Sequence, residues 1–149
     1  MHLNIIIAFC MIVATTAIHA GGMLLAMLMI QRHEAMLGTY PRLARVYRIS
    51  ELVILMFFAS LLETLVWAIT YLALNAIEGL ERALYFSMVT YTTLGYGDVV
   101  LVERWRLLGS FEAANGIIMF GWTTAIVITA VQRIYFGKEL KSSHKTKSK

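Results

Sequence analysis

Residues 92–100 read TTLGYGDVV, from Thr92 to Val100. Two glycines stand within three positions, beside two threonines, a tyrosine and an aspartate. The chain on either side is strongly apolar. Residues 52–76 precede the loop and residues 107–135 follow it, each long enough as a helix to cross a hydrocarbon core of about 30 Å. Immediately ahead of the loop, residues 80–91 are apolar enough for a helix, but at about 1.5 Å per residue they reach only partway across. Irregular backbone at membrane depth is tolerated only where protein buries it or where it lines a watery cavity. The expectation is therefore a short helix and loop that enter the membrane and leave on the same side, facing an aqueous path.

The composition requires lipid as solvent. Of 149 residues, 59% are hydrophobic and 15% charged, with a mean hydropathy of +0.70. A soluble domain of that size has too little interior to hide so much apolar surface. Residues 3–30 form a further span. They begin with no Lys or Arg, and the apolar run continues past any cleavage point near Ala20, so a transmembrane helix is expected rather than a removed signal peptide. In the polar stretch that follows, Thr39 and Pro41 read as a helix cap and first turn. Arg42, Arg45 and Arg48 then recur at every third position. A voltage sensor has such a repeat, but three arginines outside the long apolar run read as a basic flank, or as an amphipathic cuff on the inner membrane face.

Charge sets the expected orientation. Arg32, Arg42, Arg45 and Arg48 lie in one connection, and Lys138, Lys141, Lys145, Lys147 and Lys149 crowd the C-terminal segment against Glu139 alone. Both segments are expected in the cytoplasm, and the lysines read as positive-inside charge rather than a nucleic-acid arm. The connection at 77–106 sets Glu78, Glu81, Asp98 and Glu103 against Arg82, Arg104 and Arg106, and is the least basic. Three spans then put this connection and the N-terminus outside, in a multi-pass protein of the plasma or inner membrane. Trp67 and Tyr71, in the outer half of their span, read as interfacial aromatics.

The loop suits one kind of ligand. Gly95 and Gly97 adopt backbone angles closed to other residues, and alternating permissive with ordinary residues turns successive carbonyls toward one axis. Thr93 adds a hydroxyl at the inner end. Rings of such oxygens replace the water shell of a dehydrated monovalent cation. Thr93-Leu94-Gly95-Tyr96-Gly97-Asp98 resembles the selectivity-filter signature of potassium channels, and the preceding ALYFSMVTYT resembles the pore helix of that superfamily. The likeness extends over residues 52–135 and is that of a small bacterial-type channel. It implies an all-α membrane protein with three transmembrane helices, a re-entrant pore helix and filter loop between the second and third, and a homotetrameric pore, since one chain holds one filter segment. By the same resemblance Thr93, Leu94, Gly95, Tyr96 and Gly97 supply the coordinating oxygens, with K+ held at Thr93, Leu94, Gly95 and Tyr96. Thr92 and Asp98 support the filter. The permeant ion is the only ligand implied, with no organic cofactor. The divisions expected are 1–31 for an N-terminal transmembrane helix, 32–50 for a basic cytoplasmic or interfacial linker, 51–136 for the pore module and 137–149 for a basic cytoplasmic tail.

The chain also departs from the family pattern. Leu94 replaces the usual valine, but its carbonyl coordinates and selectivity is expected to survive. No proline follows the aspartate in VVLVERW, so the outer turret is expected to differ. Val89 stands where some relatives place a glutamate that pairs with the aspartate.

Among the remaining polar residues, Glu63 and Glu112 lie within apolar spans, where carboxylates are functional by default. Glu63 is either functional or satisfied by a hydroxyl or amide of a neighbouring helix. Glu112 either braces the filter from behind or pairs with Arg104 or Arg106. Gly116 and Gly121 are candidate gating hinges or close-packing positions. Ala125, Thr129 and Gln132 share a helix face suited to a cavity below the filter. Cys10 has no partner cysteine, and His2, His19, His33 and His144 show no metal-ligand spacing. A dinucleotide fingerprint fails because no strand precedes the glycines. An enzyme is least expected, since no nucleophile–base pair or metal cluster appears in the sequence; a non-conducting subunit would not require Gly-Tyr-Gly, and an energised uptake subunit carries several degenerate filters on a longer chain. The orientation is tested by reporter fusions: those at Lys149 and within 33–38 are expected to report cytoplasm and one at Met1 the outside, and an inward N-terminus would remove the three-span arrangement.

Overall fold

The computed structural model describes the backbone of residues 2–37 and 42–147, and the side chains of residues 2–29, 32 and 46–133. Four helices account for most of this: α1 (His2–Leu37), α2 (Arg42–Ala73), α3 (Leu80–Tyr91) and α4 (Arg106–Lys147), with one 3-10 turn at Glu103–Trp105. Among the described residues there is no strand. Three stretches are long and apolar enough to cross a membrane: His2–Met29, Val46–Ala73 and Glu103–Arg133. The protein is therefore all-helical with three candidate spans, as its hydropathy predicts.

The helices run further than apolarity alone delimits. α2 begins at Arg42, well upstream of residue 52, and α4 continues to Lys147. Backbone hydrogen bonding propagates a helix through polar residues once a packed segment has nucleated it. The cap expected at Thr39 and Pro41 lies outside the described residues, as do the side chains of Arg42, Arg45 and the C-terminal lysines.

α1 packs against α2 and α4 along one stripe. Asn4, Ala8, Met11, Thr15, His19 and Ala26 are buried, spaced by three or four residues or their sum, while Ile5, Ile6, Phe9, Val13 and Leu24 face outward. Within the same stripe, a Cβ added to Gly22 would meet that of Ala59 at 3.3 Å. Lipid offers no hydrophobic drive for helix association, so small residues and interhelical hydrogen bonds hold such faces together. Asn4 Nδ2 donates to the Arg104 carbonyl at 2.8 Å, and Asn115 Nδ2 donates to Thr15 Oγ1 at 2.9 Å. The first of these fastens α1 to the turn ahead of α4, the stretch in which a proline is absent.

α3 lies between α2 and α4 and runs antiparallel to α2. Phe86 meets Tyr71 edge-on at 5.3 Å, Ser87 Oγ donates to the Thr64 carbonyl at 2.8 Å, and Tyr91 reaches Glu63. Each later position on α3 thus meets an earlier one on α2. Glu63 stands ten residues before Ala73, so α3 descends about 15 Å alongside α2. Trp67 and Tyr71 are both fully buried, and α3 covers Tyr71 through Phe86, so neither ring is presented to lipid by the chain.

At Gly116, α4 comes close to the end of α3. A Cβ there would fall inside the contact radius of the Tyr91 carbonyl oxygen, whereas one on Gly121 would meet nothing within 4 Å. Gly116 is closely packed, and among the described residues no packing partner surrounds Gly121. Gly116→Ala is expected to destabilise the folded protein by about 1–3 kcal/mol, the usual cost of overpacking, and Gly121→Ala to stabilise it by about 0.5–1 kcal/mol, the gain of alanine over glycine at an unobstructed helix position. Thermal unfolding in detergent measures both.

Candidate functional site

The loop after α3 is built from the helix end outward. Thr92 caps α3, donating from its N–H to the Met88 carbonyl at 3.1 Å and from Oγ1 to the same oxygen at 2.7 Å. The Thr93 N–H then donates to the Thr90 carbonyl at 2.9 Å. The Leu94 and Gly95 N–H groups share the Val89 carbonyl at 2.9 and 3.2 Å. Four consecutive donors are thus tied back to α3. Among the described residues, no hydrogen bond reaches the carbonyls of Thr93, Leu94, Gly95, Tyr96 or Gly97.

The sign of φ alternates along the same residues. It is positive at Thr93 (61°), Gly95 (57°) and Gly97 (78°), and at neither Leu94 nor Tyr96. Alternating handedness turns successive peptide units to one side, amides one way and carbonyls the other. The glycines accept this at no steric cost. Thr93 does not, because a β-branched residue at positive φ is strained, by roughly 1–3 kcal/mol where such outliers have been assessed. The sequence marks the two glycines but not this third position.

At the far end, Tyr85 Oη donates to Asp98 Oδ2 at 2.7 Å. That hydrogen bond holds the Asp98 carboxyl below the ordinary carboxylate range; burial opposes it, and the backbone N–H groups of Asp98 and Val99 reinforce it. The carboxylate partner missing at Val89 is therefore replaced by a phenol one helical turn earlier. Leu94 and Tyr96 stay exposed in the single chain, at 56% and 67%.

Two buried carboxyl groups tie α3 to the other helices. Glu112 accepts from Tyr71 Oη at 2.6 Å and from Ser87 Oγ. It joins α4 to α2 and α3, and the alternative pairing with Arg104 or Arg106 is not formed: the Arg104 guanidinium lies 4.7 Å from the Trp105 ring centroid, and Arg106 Nε donates to the Leu101 carbonyl at 3.4 Å. Ser87 has one hydroxyl proton for two acceptors, the Thr64 carbonyl and Glu112. A proton on Glu112 satisfies the whole set.

Glu63 lies deeper. It accepts from Tyr91 Oη, and its Oε1 is 2.9 Å from His19 Nδ1. The other imidazole nitrogen is 3.2 Å from Thr123 Oγ1. Of the alternatives for Glu63, satisfaction by a neighbouring hydroxyl is realised, with an imidazole in addition.

The structure thus brings Thr92–Asp98 into one continuous strip, ties Glu112 to α3 at Ser87 and packs Gly116 on the Tyr91 carbonyl. Gly121 lies apart. Ala125 and Thr129 line a cavity of about 210 Å³ together with Ala26 and Leu52, among α1, α2 and α4. Sequence reasoning missed Tyr71, Tyr85, Ser87 and His19 as partners. The recurrence of Asn4, Thr15 and His19 on one face of α1 was a signal that could have found the last.

These positions can be compared with known proteins. The voltage-gated potassium channel Kch of Escherichia coli (strain K12) is 37% identical over 71 residues, which cover 47% of this chain and 17% of that protein. The chain therefore spans only a small part of the length of this relative. No solved structure matches it. The ion channel family model matches residues 57–133, more than half of the chain and the whole of the arrangement from mid-α2 through the loop into α4, and on that match the chain belongs to the ion channel family.

Proposed function

We propose that the protein is a potassium-selective channel in which K+ moves passively through a filter of backbone carbonyls. The observation that carries this is the strip Thr93–Gly97: φ alternates in sign, the leading amides are tied back to α3, and the carbonyls have no partner among the described residues. Oxygens freed in this way replace the hydration shell of a monovalent cation, with Thr93, Leu94, Gly95 and Tyr96 holding K+ and Gly97 completing the coordinating strip. The name of the E. coli relative supports the choice of ion.

One strip forms one wall, so the working pore is a homotetramer with its strips facing a common axis. Exposed Leu94 and Tyr96 in the single chain are consistent with burial against neighbouring copies. In this reading α3 and the loop are re-entrant, residues 51–136 form the pore module, residues 1–31 an added transmembrane helix, and the basic segments 32–50 and 137–149 face the cytoplasm, with the N-terminus outside. Thr92 and Asp98 support the two ends of the filter. Gly116 serves close packing, and Gly121, with open space around it, is free to act as a hinge.

Glu112 braces the filter from behind, through Ser87 and Tyr71. Glu112→Gln keeps the shape and most of the hydrogen bonding and is expected to be mild. Glu112→Ala leaves the buried Tyr71 hydroxyl without its acceptor, Ser87 keeping the Thr64 carbonyl, and is expected to cost about 1–3 kcal/mol, read as a less stable tetramer or faster loss of current in low potassium. Wild-type assembly and current in Glu112→Ala would remove this role.

The ion itself is tested by reversal potentials of the purified protein in planar bilayers. Potassium, rubidium and thallium are expected to pass and sodium to be largely excluded, and equal sodium and potassium permeability would overturn the proposed function.

A further inference from the structure

His19 is a fully buried histidine on the helix that precedes the family-matched region. Its two ring nitrogens contact two different helices: Nδ1 is 2.9 Å from Glu63 Oε1 on α2, and Nε2 is 3.2 Å from Thr123 Oγ1 on α4. The ring also lies 5.2 Å from that of Trp122. With Nδ1 protonated, His19 donates to Glu63 and accepts from Thr123, so both nitrogens are satisfied. Glu63 Oε2 accepts from Tyr91 Oη. His19, Glu63 and Tyr91 are all fully buried.

Tyr91 is the last residue of α3, directly before the cap Thr92 and the strained Thr93. Its ring meets Phe120 edge-on at 5.7 Å, and its carbonyl lies under Gly116. With its ring and carbonyl both enclosed, the remaining adjustable contact is the hydroxyl, which Glu63 holds. Glu63 in turn is oriented by His19. A buried carboxylate whose second oxygen lost its donor would turn toward another partner and take Tyr91 with it.

Resting on the filter reading above, we infer that His19 is a positioning residue for the filter. Through Glu63 and Tyr91 it fixes the inner end of the strip that begins at Thr92, and the N-terminal helix is thereby a working part of the pore rather than an attachment to it. Another polar tie of α1, Asn4 to the Arg104 carbonyl, lies fifteen residues from His19 along the helix, about 22 Å away, and on the far side of the loop from Tyr91 in sequence. It provides the comparison that separates positioning from general bracing.

The experiment records potassium currents of the full chain in planar bilayers, with the rubidium-to-potassium permeability ratio and the rate of current loss on lowering potassium as readouts. Thermal stability of each variant is measured in parallel. His19→Ala and Tyr91→Phe are each expected to change the rate of current loss by roughly three- to tenfold, the size of one buried hydrogen bond. The double variant is expected to be no worse than the more severe single one, because both break one chain of contacts. His19→Gln, which keeps an amide donor toward Glu63, is expected to restore most of the wild-type rate. Asn4→Ala, which removes the tie to the Arg104 carbonyl, is expected to lower thermal stability while leaving the rate and the permeability ratio at wild-type values. Wild-type filter behaviour in Tyr91→Phe overturns the inference, and this variant carries the test should His19→Ala fail to assemble. Equal effects of Asn4→Ala and His19→Ala on the current likewise overturn it, by making α1 a general brace. Failure of the underlying reading is distinct: it appears in the wild-type protein, as absence of potassium selectivity.

Discussion

The contact between the Tyr91 hydroxyl and the Glu63 carboxyl is the interaction on which the arrangement of the four helices turns. A carboxyl group buried at membrane depth is costly unless donors reach it, and donors on its own helix point elsewhere. The two that reach Glu63 come from different elements, Tyr91 from the end of α3 and His19 from the middle of α1. His19 also contacts Thr123, which brings α4 into the same cluster. In a bilayer, where apolar faces have no reason to prefer each other over lipid tails, such a cluster specifies which helices meet and at what depth. Gly116 completes it by letting α4 approach the Tyr91 carbonyl.

A second cluster repeats this logic one turn earlier on α3. Glu112 on α4 collects hydroxyls from Tyr71 on α2 and Ser87 on α3, and Ser87 also reaches the Thr64 carbonyl. The two carboxyl groups hold α3 at two depths, one at Ser87 and one at Tyr91. A short helix of twelve residues is marginal alone. Held at both levels, it becomes a rigid support for the loop that follows it.

The loop itself is not regular structure and gains nothing from a ladder of its own. Its leading amides use the last carbonyls of α3, and its outer end is held by Tyr85 at Asp98. Between these fixed ends the backbone carries the strain of Thr93 at positive φ. Strain of this kind persists only where the surroundings determine it. Here the surroundings are the enclosed Tyr91 on one side and the phenol–carboxylate hydrogen bond on the other.

The amino-acid sequence by itself determined the class of the molecule. Apolar runs of membrane length, one short helix and the glycine pattern at 95 and 97 are local properties, set by helix rise and by backbone freedom, and each is found where it was expected. The bounds of Leu80–Tyr91 were legible because the polar residues and glycines around it interrupt apolarity on both sides. The partners of the buried groups were decided only by the tertiary structure. His19 and Glu63 are 44 positions apart, Thr15 and Asn115 100, and no periodicity within one helix connects them. Tyr71 shows the limit plainly: as an aromatic in the outer half of a span it has the pattern of an interfacial residue, yet it is buried, because α3 folds back over that face and Glu112 supplies its acceptor. Hydropathy measures how readily a residue leaves water, and it contains no term for which neighbouring helix will satisfy the polar end of its side chain.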